Sequence, residues 1–230
     1  MYSEGLIIDA ISDTHNRHDK FSLPGGDILI HAGDATSQGT MSEVTTFLDW
    51  FGVQDYSHLI FVPGNHDWLF ELNPDLAAEE CRKRGIILLN DSGITVEGIK
   101  IYGSAMTPTF FDWAFNRDRG VQIRRHWDLI PADTELLITH GPPHQILDYV
   151  PERNGQLRHV GCEELALKIE QTQIKAHIFG HIHYAAGHKY LHGRTYVNAA
   201  ALDEQYSPTL GNPKRIIKDC AGEYLVESAP

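Results

Sequence analysis

Five short apolar runs in this chain each end in side chains that can bind metal. Leu6–Ile11 leads into Ser12-Asp13-Thr14-His15, and Asp27–His31 leads into Ala32-Gly33-Asp34. Leu59–Pro63 leads into Gly64-Asn65-His66-Asp67, Glu135–Thr139 into His140-Gly141-Pro142, and Ala176–Phe179 into Gly180-His181-Ile182-His183. Taken singly these are weak signals, since Gly64-Asn65 alone reads as a type I′ turn and a lone histidine as a structural one. His181 and His183 are more specific, because alternate residues face the same way only in an extended segment. All five in order are hard to explain as turns and core histidines. The donors are carboxylate, imidazole and amide oxygen without thiolate, which suits Mn, Fe, Zn or Co rather than a structural zinc site. Asp13, His15, Asp34, Asn65, His140, His181 and His183 are too many ligands for one tetrahedral ion. They suit two ions sharing one bridging group, an arrangement used for in-line displacement at phosphorus with the metals roughly 3.5–4 Å apart.

The apolar runs, bounded by turn residues, read as buried strands. Helical patterns lie between them. In Met41–Phe51 the residues Val44, Phe47, Leu48 and Phe51 share one face. Asn73 before Pro74 reads as an N-cap opening a helix to Arg84, and Arg119–Trp127 and Gly161–Ile169 are further helix candidates. Strands alternating with helices give an α/β class, in which ligands bind at the carboxyl ends of the strands. Three stretches read as hairpins: Gly93–Val96 with Lys100–Gly103, Lys189–Leu191 with Thr195–Val197, and Arg215–Lys218 with Tyr224–Glu227. The expected sheet is therefore mixed, or split into two packed sheets.

A chain of 230 residues with no linker-like tract is expected to form one domain, 1–230. Its 42% hydrophobic and 22% charged residues are those of a globular protein. Nineteen basic against 31 acidic residues leave a net charge of −12, which argues against a duplex nucleic-acid clamp. Bound divalent ions would offset that charge locally. Cys81, Cys162 and Cys220 are odd in number and widely spaced, which suits a reducing compartment. Met1–Ala10 does not read as a signal peptide, the tail to Pro230 carries no lipidation signal, and no apolar segment reaches membrane-spanning length. A cytoplasmic protein is expected.

At the five blocks the sequence resembles the calcineurin-like metallophosphoesterases, whose pattern is Asp-x-His, Gly-Asp, Gly-Asn-His-Asp/Glu, His and Gly-His-x-His. Thr139–Pro143, Ile11–His15 and Tyr102-Gly103-Ser104 followed by Phe115-Asn116 are similar to the MPPED-type branch, close to class III cyclic-nucleotide phosphodiesterases. The likeness covers about Leu6 to Asn198. It implies a four-layer αββα sandwich, with two mixed sheets between helices. It further implies two divalent or trivalent ions (Mn, Fe or Zn, with Mn the one expected to be active in vitro). Asp13, His15 and His183 would hold the first, Asn65, His140 and His181 the second, and Asp34 would bridge them. His66 would stabilise the transition state or protonate the leaving oxygen, with Asp67 orienting it. Some MPPED-type proteins carry Gly where this chain has His181. The Gly-Asp-x-x-Asp-Arg-Gly block of protein phosphatases is missing, because Gly33-Asp34 continues Ala35-Thr36-Ser37. The implied activity is hydrolysis of a small phosphate ester such as a cyclic nucleotide, and the rival reading is a nucleotide-binding module without turnover.

Arg17 and Asn116 are the substrate-side candidates, Arg17 because a guanidinium matches phosphate geometry. His18 and His144 read equally as phosphate contacts or as loop residues. Phe110, Phe111, Trp113 and Phe115 read as core or as a wall on which a base could stack. His31 and His177, at strand positions, read as hydrogen-bonded core residues.

Overall fold

The computed structural model describes residues 5–209 and 213–227. Met1–Glu4 and Ser228–Pro230, parts of the termini read above for targeting signals, lie outside the described residues. In chain order the elements are β1 (Leu6–Ile11), β2 (Gly26–His31), α1 (Met41–Phe51), β3 (Tyr56–Phe61), α2 (Trp68–Leu72), α3 (Pro74–Lys83), β4 (Ile86–Leu88), β5 (Ser92–Val96) and β6 (Ile99–Ser104). Then follow β7 (Thr107–Pro108), β8 (Asn116–Arg117), α4 (Val121–Trp127), β9 (Leu136–Thr139), β10 (Tyr149–Pro151), β11 (Leu157–His159) and α5 (Glu163–Glu170). The last are β12 (Ala176–Phe179), β13 (Gly187–Leu191), β14 (Arg194–Asn198), β15 (Lys214–Lys218) and β16 (Tyr224–Val226).

Two six-stranded mixed sheets result, in the orders β16-β15-β1-β2-β3-β4 and β13-β14-β12-β9-β6-β5. The side-chain period of two divides each strand between two cores. Ile8, Ala10, Ile28, Ile30 and Ile60 from the first sheet meet Ile101, Leu136, Ile138, Ile178 and Val197 from the second. The opposite faces present Leu29, Phe61, Tyr102, Leu137 and Phe179 to buried helix residues such as Phe47, Phe51, Cys81, Trp127 and Leu165. The architecture is therefore the four-layer sandwich that the resemblance implied.

The five expected strands all form, with β3 starting three residues before Leu59. The three hairpins form as β5–β6, β13–β14 and β15–β16. Helix α1 begins with a full capping box, in which Thr40 and Glu43 satisfy each other's backbone N–H groups. Asn73 makes no side-chain capping bond, so the fixed φ of Pro74 at the first turn is what marks the start of α3. Helices α4 and α5 each start two residues later than the sequence suggests. The Arg119 side chain is drawn away to the carbonyl oxygens of Gly161 and Val160, at 2.8 and 2.7 Å. No helix among the described residues is long and apolar enough to cross a membrane.

What matters for the site is direction. β1, β2 and β3 run parallel in one sheet, and β9 and β12 in the other. At their carboxyl ends the sheets are tied together, with Ser12 N–H donating to Ala199 O at 2.9 Å and Ala201 N–H to Ser12 O at 3.0 Å. The five ligand-bearing loops consequently meet at one edge.

Candidate metal centre

Six of the seven expected ligands, together with His66, form three overlapping groups there: Asp13 with His15 and His183, His15 with Asp34 and His66, and Asp34 with His140 and His181. Within each group the donor atoms lie within 4.8 Å of one another. Asp34 is shared. Its Oδ1 is 3.3 Å from His140 Nε2, while its Oδ2 is 3.8 Å from His15 Nε2 and 4.0 Å from His66 Nε2. Asn65, the seventh, joins the group of Asp34, His140 and His181, its Oδ1 standing 2.9 Å from His140 Nε2.

The backbone aims the ligands. His140 Nδ1 donates to the Ala32 carbonyl at 2.9 Å, and His183 Nδ1 to the Asp203 carbonyl at 3.0 Å. A carbonyl can only accept, so both rings turn Nε2 toward the site, as outer contacts of ligating histidines commonly arrange. His181 N–H donates to Asp13 Oδ2 at 2.9 Å, and His66 N–H to Asp34 Oδ1 at 2.8 Å. Asp13, His15, Asp34 and His181 all have positive φ, at 57°, 40°, 53° and 70°. Such conformations are costly for these residues and gather at functional sites. Gly33, at φ +103°, makes the tight turn that leads into Asp34. Gly64 and Gly180 serve differently: a Cβ on Gly64 would strike Asp34, and one on Gly180 would strike Asp13 and Ser12.

The donors fit a cation. Asp13 Oδ1 and both ring nitrogens of His15 are buried without a hydrogen-bond partner. Buried polar atoms are seldom left so, and an ion among them would satisfy all three. Burial holds His15 down to about 4 and His181 to about 3, so both rings stay neutral and able to ligate. Burial also opposes charge on His140 and His183, but Asp34 and Asp13 outweigh it and raise each to about 9. The two carboxyls stay below their ordinary range despite burial, through His140 and His183 respectively. Without metal, Asp34 with His140 and Asp13 with His183 thus form two carboxylate–imidazolium pairs.

His66 differs from the expectation in one respect. Its Nδ1 donates to the Ser37 carbonyl at 2.8 Å, and its ring lies against Trp113 at 4.1 Å between centroids. Asp67 does not orient it. The Asp67 carboxylate is fully buried and accepts from Gly64 N–H at 2.8 Å, Thr36 N–H at 3.0 Å and Thr36 Oγ1 at 2.7 Å. Through these bonds it locks the Asp34 loop to the Asn65 loop. Burial and the neighbouring Asp34 push its pKa up to about 6.

Asn116 is also redirected. Its Nδ2 donates to Phe110 O at 2.9 Å and its Oδ1 accepts from Thr107 Oγ1 at 3.0 Å, so its amide pins a loop. Arg17 is exposed and is not among the residues lining the metal cavity. His18 is buried against Trp50 and Phe47, and His144 stands 3.7 Å from Asp148. His31 and His177 are core residues bonded to Thr14 and Thr139. The aromatic cluster splits: Phe115 is core, Trp113 covers His66, and Phe110 lies 5.1 Å from His181.

The ligands floor a cavity of about 280 Å³ whose rim includes Phe110, Tyr184, Glu204 and Tyr206. The Tyr206 ring packs 4.9 Å from His15 and 5.6 Å from His183. Sequence reasoning missed it. The available signal was Asp203, whose carboxylate accepts from Gln205 N–H and Ser207 N–H at 2.9 Å each and folds this segment as a turn.

Residues 7–185 match the calcineurin-like phosphoesterase family. The chain belongs to that family. It is 38% identical over 229 residues to metallophosphoesterase domain-containing protein 1 of Homo sapiens, covering 90% of this chain and 69% of that protein. It is 31% identical over 211 residues to UPF0046 protein K07C11.7 of Caenorhabditis elegans, covering 86% and 71%. Among solved structures, TT1561 of Thermus thermophilus superposes with a TM-score of 0.61 at 15% identity, covering 97% of this chain and 99% of that one. Phosphopantetheinyl hydrolase from Mycobacterium tuberculosis gives 0.59 at 16% identity, covering 93% and 96%. At such identities these structures show the fold alone. Family members bind divalent metals, and the His and Asp groups above are this metallophosphoesterase's candidate positions for them.

Proposed function

We propose that this phosphoesterase is a dinuclear phosphodiesterase of small esters such as cyclic nucleotides, working as one domain. The observation that carries the reading is Asp34, whose two oxygens face two separate ligand groups. Asp13, His15 and His183 would hold one ion, and Asn65, His140 and His181 the other. Two such ions lower the pKa of a water toward neutrality and neutralise charge on the phosphoryl oxygens of an in-line displacement. Asp34 is held between the groups by the His66 N–H bond. The His66 Nδ1–H bond to Ser37 turns Nε2 toward the site, where the imidazolium form of the ring would give its Nε2 proton to the leaving oxygen, and Trp113 keeps the ring from turning away. A cavity of about 280 Å³ suits a single phosphoryl group, and a net charge of −12 disfavours a polyanion. The exposed free thiol of Cys220 suits the cytoplasm.

The test adds Mn²⁺ to metal-stripped protein with bis-p-nitrophenyl phosphate as reporter. Metal-dependent hydrolysis of this diester, faster than that of p-nitrophenyl phosphate, is expected. A chain that binds Mn²⁺ yet turns over neither compound is instead a nucleotide-binding module.

A further inference from the structure

Segment 203–209 follows β14 and lies outside the five ligand-bearing loops, yet it touches both imidazoles that stand with Asp13. The Asp203 carbonyl accepts from His183 Nδ1 at 3.0 Å, and the Tyr206 ring packs edge-on to His15, with 4.9 Å between centroids and 79° between planes. We propose that Tyr206 is a positioning residue, whose ring holds the His15 imidazole in the orientation that ligates a cation. The inference rests on the dinuclear reading, which makes Asp13, His15 and His183 the ligands of one ion.

His15 needs such a support. Carbonyl oxygens aim His140 and His183, but both ring nitrogens of His15 are buried without a hydrogen-bond partner. What the His15 ring does meet is other rings: His66 edge-on at 4.8 Å, His183 at 5.5 Å and Tyr206. Of the three, Tyr206 alone has no proposed part in metal binding or proton transfer. Its own backbone is placed at a cost. Tyr206 has φ 58°, a left-handed conformation unfavourable for a bulky residue, which persists only where the surroundings over-determine it. Here they do. Tyr206 N–H donates to Asp203 O at 2.9 Å, and Asp203 N–H to Ser207 O at 2.9 Å. The Asp203 carboxylate accepts from Thr209 Oγ1 at 2.6 Å and from the Gln205 and Ser207 N–H groups. The side chain is 42% exposed, so the strained turn gains little from burying it. What the turn achieves is the contact with His15.

The test is calorimetry of Mn²⁺ binding to the metal-stripped full chain as wild type, Tyr206→Phe and Tyr206→Ala. Two ions are expected to bind the wild type. The ring and not the hydroxyl makes the contact, so Tyr206→Phe should bind both ions as the wild type does. Tyr206→Ala should bind one ion about three- to tenfold more weakly, the magnitude of an aromatic pair, and the other ion unchanged. The unfolding midpoint of the metal-free chain should be the same in all three proteins. Equal affinities throughout, a loss spread over both ions, or a loss shared by Tyr206→Phe would each overturn the proposal. So would a lower unfolding midpoint in Tyr206→Ala, which would make the ring a structural element only. If the wild type binds a single ion, the dinuclear reading has failed and Tyr206 is judged on that ion. Weaker binding in Tyr206→Ala, restored in Tyr206→Phe, then supports the positioning role, and equal binding overturns it. A wild type that binds no ion overturns both.

Discussion

Replacing Asp34 by Asn changes one oxygen to an NH₂ and removes one negative charge while keeping the side chain's shape. Asp34 is 2% exposed, so water cannot take over as an acceptor. The Asn can keep its oxygen toward the His66 N–H, now 2.8 Å away, or turn it toward His15, but not both. Its amide nitrogen cannot ligate a cation, so one group must lose its shared oxygen. The two groups are unequal. Asp13 leaves the first with a carboxylate, whereas Asn65, His140 and His181 contain no other anion. A unit charge pair at about 4 Å is worth about 4 kcal/mol at an effective dielectric constant of about 20. That corresponds to about 10³-fold in affinity, borne mainly by the second group. The assay is elemental analysis after equilibration with Mn²⁺ and gel filtration, alongside diester turnover. Two ions per chain are expected in the wild type and one in Asp34→Asn, with turnover below about 1%. A variant keeping two ions and normal turnover would refute the bridging geometry.

His66→Ala should keep both metals while kcat falls by about 10²–10⁴-fold for a poor leaving group, and by less for p-nitrophenolate, which hardly needs a proton. Loss of metal along with activity would make His66 a ligand instead. Mn²⁺ affinity should rise from pH 6 toward 9, because His140 and His183 are each raised to about 9 in the metal-free chain and only the deprotonated ring can ligate. A flat profile in a titration across that range would contradict the two ion pairs. Gly180→Ala should displace Asp13 and weaken metal binding, since the added Cβ meets both the Asp13 carboxylate and Ser12; unchanged affinity would show that this loop yields.

The candidate ligands and the strands that carry them were legible in the sequence because each depends on local chemistry, whereas the four layers came only from the family resemblance. A buried strand must be apolar, a loop that binds metal must carry donors, and the two stand side by side along the chain at Ile11–Asp13, His31–Asp34 and Phe179–His181. The helix α1 was legible for the same reason, its apolar period being set by one face. Strands of two or three residues, such as β4 and β7, left no pattern long enough to read. What tertiary structure alone decided is which partner each polar group meets across long stretches of chain. His140 is oriented by Ala32, 108 residues away, His66 by Ser37 rather than by its neighbour Asp67, and Tyr206 is brought onto His15. Asn116, read as a substrate contact, holds Phe110 instead. Backbone carbonyls and loop closures have no residue type to announce them. The sequence therefore names the atoms that could bind a metal, and only the packing of two sheets determines which way they point.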